Sequence, residues 1–314
     1  MSEINTTKPT YLAEPTYLAK KNEHSRDKDM VFIENTHKYI ISTDPDSKYT
    51  SVTTWNHSHF NHFNPTLIIK NMMKGKNWNP ENKYWGMTAE EIKKKWQQDG
   101  QLAAKLGTAL HYQIECYWNT WGTNDADGDG AIGDGAIDAG AIDAGANTVE
   151  WNYFLEFAKT CCSHLKPYRT EWRIYDEDIK LAGSIDMVFE NEDGTLSIYD
   201  WKRCKEISKS CPFKKHAKTK CINYLPDTNF WHYSLQLHTY KAILESKYGK
   251  VVKDLYLVQL HDSNTSFEVI KVADMTQELI KLFELRKTTE LAATATTDTA
   301  TATTDTDTAT SSSC

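Results

Sequence analysis

The chain has 314 residues, 39% hydrophobic, 25% charged and 11% aromatic, a composition that suits one large or two modest globular domains. No run approaches the roughly 18 consecutive apolar residues of a membrane helix, and the polar opening Met1-Ser2-Glu3-Ile4-Asn5 lacks the apolar core of a secretory signal. The net charge of −7 is concentrated in two low-complexity stretches, 125–147 and 291–314, which hold six and three Asp and no Lys or Arg, so the remainder carries +2.

Residues 1–28 predict a disordered segment in which Pro9-Thr10-Tyr11-Leu12-Ala13 recurs as Pro15-Thr16-Tyr17-Leu18-Ala19. A folded domain is expected over 29–290. Val31-Phe32-Ile33 and Tyr39-Ile40-Ile41 read as two short strands around Asn35-Thr36-His37. Asn64-Pro65 opens a helix through Met73, and two further helices are predicted over 88–97 and 100–118. The insertion at 125–147 begins like a calcium loop, with Asp125, Asp127, Asp129, Gly130 and Ile132, but its twelfth position is Ala136, where a bidentate Glu is required. It reads as a repeat-expanded loop.

Beyond it come a helix from Val149 to about His164 and strands at Glu171–Tyr175, Ala182–Phe189 and Leu196–Lys202. A helix over 233–247 capped by Gly249, strands at Leu255–Leu260 and Phe267–Val272, and a helix over 275–287 complete the domain. The tail from Leu291 lacks the apolar residues to bury a core and predicts disorder. This order gives an α/β domain of the α+β type, a central mixed sheet flanked by helices.

Chemistry concentrates in one hairpin. Asp200 and Lys202 are two apart and share a strand face. A three-residue loop Glu192-Asp193-Gly194, with Gly194 left-handed, places Asp186 opposite Asp200. Two carboxylates so placed repel, and a divalent cation between them removes the repulsion. A two-residue Asp193-Gly194 turn would instead put them on opposite faces of a solvated hairpin. On the helix at 100–118, His111 and Glu115 share a face; on the later one, His232, Gln236 and Tyr240 do. Residues 202–220 hold eight Lys or Arg against Glu206 alone, which serves either a solvated face or a polyanionic partner.

Five pieces occur in order: Gly107-Thr108-Ala109-Leu110-His111, Glu171, Gly183-Ser184-Ile185-Asp186, Asp200-Trp201-Lys202, and Gln236 with Tyr240. Over 100–260, apart from the insertion, this pattern resembles the RecB-like branch of the PD-(D/E)XK nuclease superfamily. Residues 51–55 and 232–237 are similar to its stand-alone viral and phage versions. The resemblance implies a restriction-endonuclease-like core and a metal-dependent deoxyribonuclease. It assigns His111, Asp186 and Asp200 as metal ligands with the Trp201 carbonyl as a further one, Glu171 as a supporting acid and Lys202 as the group that orients water and stabilises charge. Gln236 and Tyr240 become the helix motif that braces the site and meets the DNA backbone, and Lys214, Lys215 and Lys218 guide the polyanion.

Hard oxygen ligands suit Mg2+, and an imidazole admits Mn2+. Cys204, Cys211 and Cys221 do not form the terminal grouping that holds an iron–sulfur cluster in relatives, so none is expected. Seven cysteines without a compact disulfide spacing fit a reduced, intracellular compartment. DNA is the expected partner, and no membrane. Through the resemblance alone, the His-bearing helix implies an exonuclease in DNA repair, recombination or replication. A structure-specific endonuclease on the same fold, or a catalytically silent DNA-binding module, is the alternative.

Overall fold

The computed structural model describes residues 16–121, 148–162 and 164–304; the insertion at 125–147 and the first copy of the N-terminal duplication lie outside them. Three consecutive strands follow the predicted order: β4 (Lys166–Asp176), β5 (Leu181–Glu190) and β6 (Leu196–Lys202). Leu196 and Ile198 face one side of the sheet, and Tyr199 and Trp201 the other, all buried. A strand covered on both faces reads this way, as a near-continuous apolar run. Helix α6 (Asn229–Lys247) carries the chain over the sheet, so that β7 (Val252–Gln259) runs parallel to β6 and β8 (Glu268–Lys271) returns antiparallel. Gly249, at φ +60°, lets the Lys250 N–H reach back to the Leu244 carbonyl at 3.2 Å, the predicted cap.

A short strand, β3 (Thr50–Ser51), pairs in parallel with Leu181 and Ala182, whereas β6 pairs with β5 only from Met187 to Glu190. Strand β4 takes the other edge of β5 along its length. So β3 and β6 share one edge and leave Gly183–Asp186 in a fork between them. On one face lie α2 (Val52–Ser58), α6 and α7 (Thr276–Thr304); on the other lie α1 (Tyr17–Lys21), α4 (Ala89–Trp121) and α5 (Val149–Cys161). Helix α3 (Pro65–Met73) packs on the first half of α4 around Ile69, Tyr84 and Ile92. A separate hairpin of β1 (Met30–Ile33) and β2 (Lys38–Ile41) stands as predicted. The result is the expected mixed sheet between helices. Among the described residues, no helix is long and apolar enough to cross a membrane.

Four expectations change. The helices predicted over 88–97 and 100–118 are one helix, about 50 Å long at 1.5 Å per residue. Gly100 costs a helix interior only about 1 kcal/mol relative to Ala, and buried anchors hold both sides of it: Ile92 before, Leu110, Ile114 and Trp118 after. Residues 16–28 are structured where disorder was expected. Leu18 is buried with its N–H donating to Asn119 at 3.0 Å, and Asp27 accepts from the buried Arg169 at 2.7 Å. Polar composition hid a segment whose acids serve as partners to the sheet. Helix α7 continues past Leu291, where the tail was expected to begin; 305–314 lie outside the described residues. Helix α2 was missed, although its signals were present: Ser51 accepts from the Thr54 N–H at 3.1 Å as an N-cap, and Val52, Trp55 and Asn56 are buried at helical spacing.

Candidate active site

The loop between β5 and β6 has three residues. Asn191 and Thr195 pair across it at 2.8 Å, and Gly194 is left-handed at φ +77°. The register that follows, Met187 with Tyr199 and Val188 with Ile198, ends one step short of Asp186 and Asp200, which are next in line on the two strands. The solvated two-residue turn is ruled out. On the other edge of β5, the pairs Thr170–Met187 and Trp172–Ile185 bracket Glu171 opposite Asp186. Three neighbouring strands thus carry an acid at one level.

That level is also where the strands change face. Trp172 and Ile185 belong to the core beneath α6, whereas Met187 lies in the core beneath α4 and Thr170 accepts from Asn119 of α4 at 2.8 Å. Residues two apart ordinarily share a face. In β4 the alternation slips at Glu171, which is left-handed, at φ +43°, a conformation that costs a non-glycine residue about 1–3 kcal/mol; β5 changes face opposite it without a positive φ.

Helix α4 buries Leu110, Ile114 and Trp118 against the sheet, which turns His111 toward the acids. Its Nε2 lies 3.0 Å from the Trp201 carbonyl oxygen and its Nδ1 3.5 Å from Asp186 Oδ2. Asp186 Oδ2 also accepts the Trp201 N–H at 3.0 Å, and Glu171 accepts from the Ser184 hydroxyl at 2.8 Å. One ligand atom each from His111, Glu171 and Asp186 lies within 4.8 Å of the others. Asp200 stands outside that trio, fully buried, with Oδ2 in an ion pair with Lys202. The Lys202 ammonium lies 4.5 Å over the Tyr233 ring.

The electrostatics are those of a crowded acid site. Burial, then the Asp186 charge, pushes the Glu171 carboxyl up to about 7. The same two causes raise Asp200, against the pull of Lys202. Burial alone would depress Lys202, but Asp200 and Asp186 outweigh it and hold its pKa above the ordinary value. These residues fit a divalent cation. Both ring nitrogens of His111 face acceptors, yet a neutral imidazole has one N–H. A cation among His111, Asp186, Glu171 and the Trp201 carbonyl satisfies that geometry and relieves the carboxylate repulsion.

From α6, Gln236 donates to the buried Tyr240 hydroxyl at 3.3 Å. Tyr240 in turn packs on Gly183, where a Cβ would come within 2.7 Å of the ring. His232 is turned to Asp227, at 3.0 Å. The basic run divides. Arg203 is spent internally on the buried Glu150, at 2.7 Å, while Lys214, Lys215 and Lys218 are exposed. Their loop is tied to the segment after α2 by the Lys218 N–H to the His59 carbonyl, 2.8 Å. Sequence reasoning passed over Ser184, which holds Glu171, although its place inside Gly183–Asp186 was a usable signal. It also passed over Glu150, for which no local signal exists.

A mixed sheet between helices, with acids, an imidazole and a lysine gathered at a strand fork, defines a phosphodiester-hydrolase type of site. Residues 84–314 match the family model of the PD-(D/E)XK nuclease superfamily. The chain belongs to that superfamily. Membership implies nuclease activity with divalent metal and DNA as substrate. No curated protein matches the chain.

Proposed function

We propose that this protein is a Mg2+-dependent deoxyribonuclease, with Mn2+ as an alternative, and an exonuclease working at DNA ends in repair, recombination or replication. The observation that carries the reading is the meeting of His111, Glu171 and Asp186 within 4.8 Å, beside the Asp200–Lys202 pair. A His-bearing helix ahead of the acids is the mark of the RecB-like branch. Residues 51–55 and 232–237 favour its stand-alone viral and phage versions.

His111, Asp186 and Glu171, with the Trp201 carbonyl, would hold the metal; Asp200 completes the acid set from β6. When bound, the metal lowers the pKa of water and offsets phosphate charge. Lys202 remains an ammonium ion, so it serves as a fixed positive donor beside the phosphate rather than as a proton acceptor. Glu171, held by the Ser184 hydroxyl, supports the metal shell as the third acid. Gln236 and Tyr240 brace the fork from α6, and Lys214, Lys215 and Lys218 draw the backbone in. The test is incubation of linear and closed-circular DNA with Mg2+. Loss of the linear form alone supports the exonuclease; cleavage of both would make it an endonuclease, and cleavage of neither would refute the enzyme reading.

A further inference from the structure

The β1–β2 hairpin precedes the matched segment and contributes nothing to the cluster of acids. Its inner side packs Met30, Tyr39 and Ile41 against Tyr49, Tyr175 and Ala182. Phe32 pairs with Tyr39 at the same level of the hairpin, ring centroids 4.7 Å apart, and His37 sets its exposed ring edge-on to Phe32 at 5.9 Å. Arg173 of β4 reaches over the Phe32 ring, its guanidinium carbon 5.3 Å from the centroid. Arg173 is exposed and forms no ion pair among the described residues. A purely structural arginine would be expected to find a carboxylate, as Arg26 finds Glu177 at 2.6 Å and Arg169 finds Asp27 at 2.7 Å.

This group adjoins the acids. Arg173 is two residues beyond Glu171 and opposite Ser184, the residue that donates to Glu171. The Tyr39 hydroxyl lies within electrostatic reach of both Arg173 and Glu171. Aromatic faces stack a base, and a guanidinium without a carboxylate partner donates to its phosphate while stacking on the same ring. In a duplex both faces of a base are already stacked on neighbours, so such a platform serves an unpaired nucleotide.

We propose that Phe32 and His37, backed by Tyr39 and joined by Arg173, stack an unpaired nucleotide beside the carboxylate cluster, so that the protein takes single-stranded DNA or a frayed end. The inference rests on the nuclease reading, and its test separates the two. Binding of a single-stranded oligonucleotide containing 2-aminopurine, and of a blunt duplex, is measured with the full chain carrying Lys202→Ala to suppress cleavage. Phe32→Leu and Arg173→Gln should each weaken single-strand binding roughly 5- to 150-fold, the worth of one base stack. Both should leave duplex affinity unchanged, and Phe32→Trp should restore binding. Bound 2-aminopurine should be quenched, and less so in Phe32→Leu. If Phe32→Leu fails to fold, Arg173→Gln, at an exposed position, decides alone. Single-strand affinity unmoved by Arg173→Gln, or lost equally with duplex affinity, would overturn the proposal while wild-type cleavage leaves the nuclease reading standing. A wild-type chain that neither cleaves nor binds DNA would overturn both.

Discussion

Gly183→Ala is a one-methyl change whose sign the structure decides. Gly183 lies mid-strand without a positive φ, so removing glycine's extra freedom in the unfolded chain would by itself stabilise by about 0.4–1 kcal/mol. The new Cβ, however, would sit 2.7 Å from Tyr240 Cε1, 3.2 Å from its hydroxyl and 3.3 Å from the Val52 Cβ. Neither neighbour can yield freely. The Tyr240 ring is rigid and 3% exposed, and Val52 is fully buried. Overpacking of this kind costs about 1–3 kcal/mol, which exceeds the gain, and each kcal/mol lowers the melting temperature by about 2–4 °C in a domain of this size. Tyr240→Leu shortens the side chain and clears the clash. Gly183→Ala introduced together with Tyr240→Leu should therefore cost much less, and the double-mutant cycle should show coupling. Thermal melts of the four proteins provide the measurement. An alanine that is neutral, or equally harmful with and without Tyr240→Leu, would refute close packing as the reason for the glycine.

Four further perturbations test the fork and the basic loop beside it. Asp200→Ala leaves the half-buried Lys202 ammonium without its partner, a change that costs up to about 3 kcal/mol in denaturant melts; Asp200→Ala with Lys202→Met should recover stability but not cleavage. In the metal-free protein, Glu171 is raised from 4.5 to about 7, so between those values the folded chain holds a proton that the unfolded chain has released. Stability should fall by up to about 3 kcal/mol as pH rises through that window, in chelator but not with Mg2+ or Mn2+, and a Glu171→Gln variant that keeps the full slope would contradict it. Lys202→Ala should lower the rate at saturating DNA about 100- to 1000-fold with little change in affinity. Alanines at Lys214, Lys215 and Lys218 should instead weaken binding and reduce the salt slope by roughly 0.9 for each phosphate no longer neutralised; identical behaviour of both sets would make Lys202 one more surface cation.

The hairpin register was legible because it depends on local chemistry. Gly194 had to take the left-handed turn, and once the loop length was set, every pair from Asn191–Thr195 down to Met187–Tyr199 followed, with Asp186 and Asp200 next in line. The position of His111 was likewise readable from helical spacing, since Leu110, Ile114 and Trp118 occupy the buried stripe and leave His111 at its edge. What stayed hidden depends on distant partners. No local pattern pairs Arg203 with Glu150, or Asp27 with Arg169 across 142 residues, so a charged run looked uniformly available and a polar N-terminal segment looked unstructured.

Glu171 shows a different kind of illegibility. A regular strand would have placed it by simple alternation, and alternation gives the wrong face on one side of it or the other: Thr170 faces α4, Trp172 faces α6. Glutamate has no intrinsic preference for φ +43°, so nothing in the local sequence marks the slip. The strain is held by what surrounds it, with Trp172 fully buried on one side and Thr170 hydrogen-bonded on the other. Its consequence is chemical. The slip occurs at the level of Asp186, where His111 and the Trp201 carbonyl also converge, and it brings a third acid to a place that a regular strand would have directed toward one core or the other. The backbone cost of about 1–3 kcal/mol falls on a residue whose carboxyl is also pushed upward by burial and by the Asp186 charge. Both penalties oppose folding of the metal-free chain, and a bound cation would offset the electrostatic one. That is the arrangement expected where a local rule is broken for function rather than for stability.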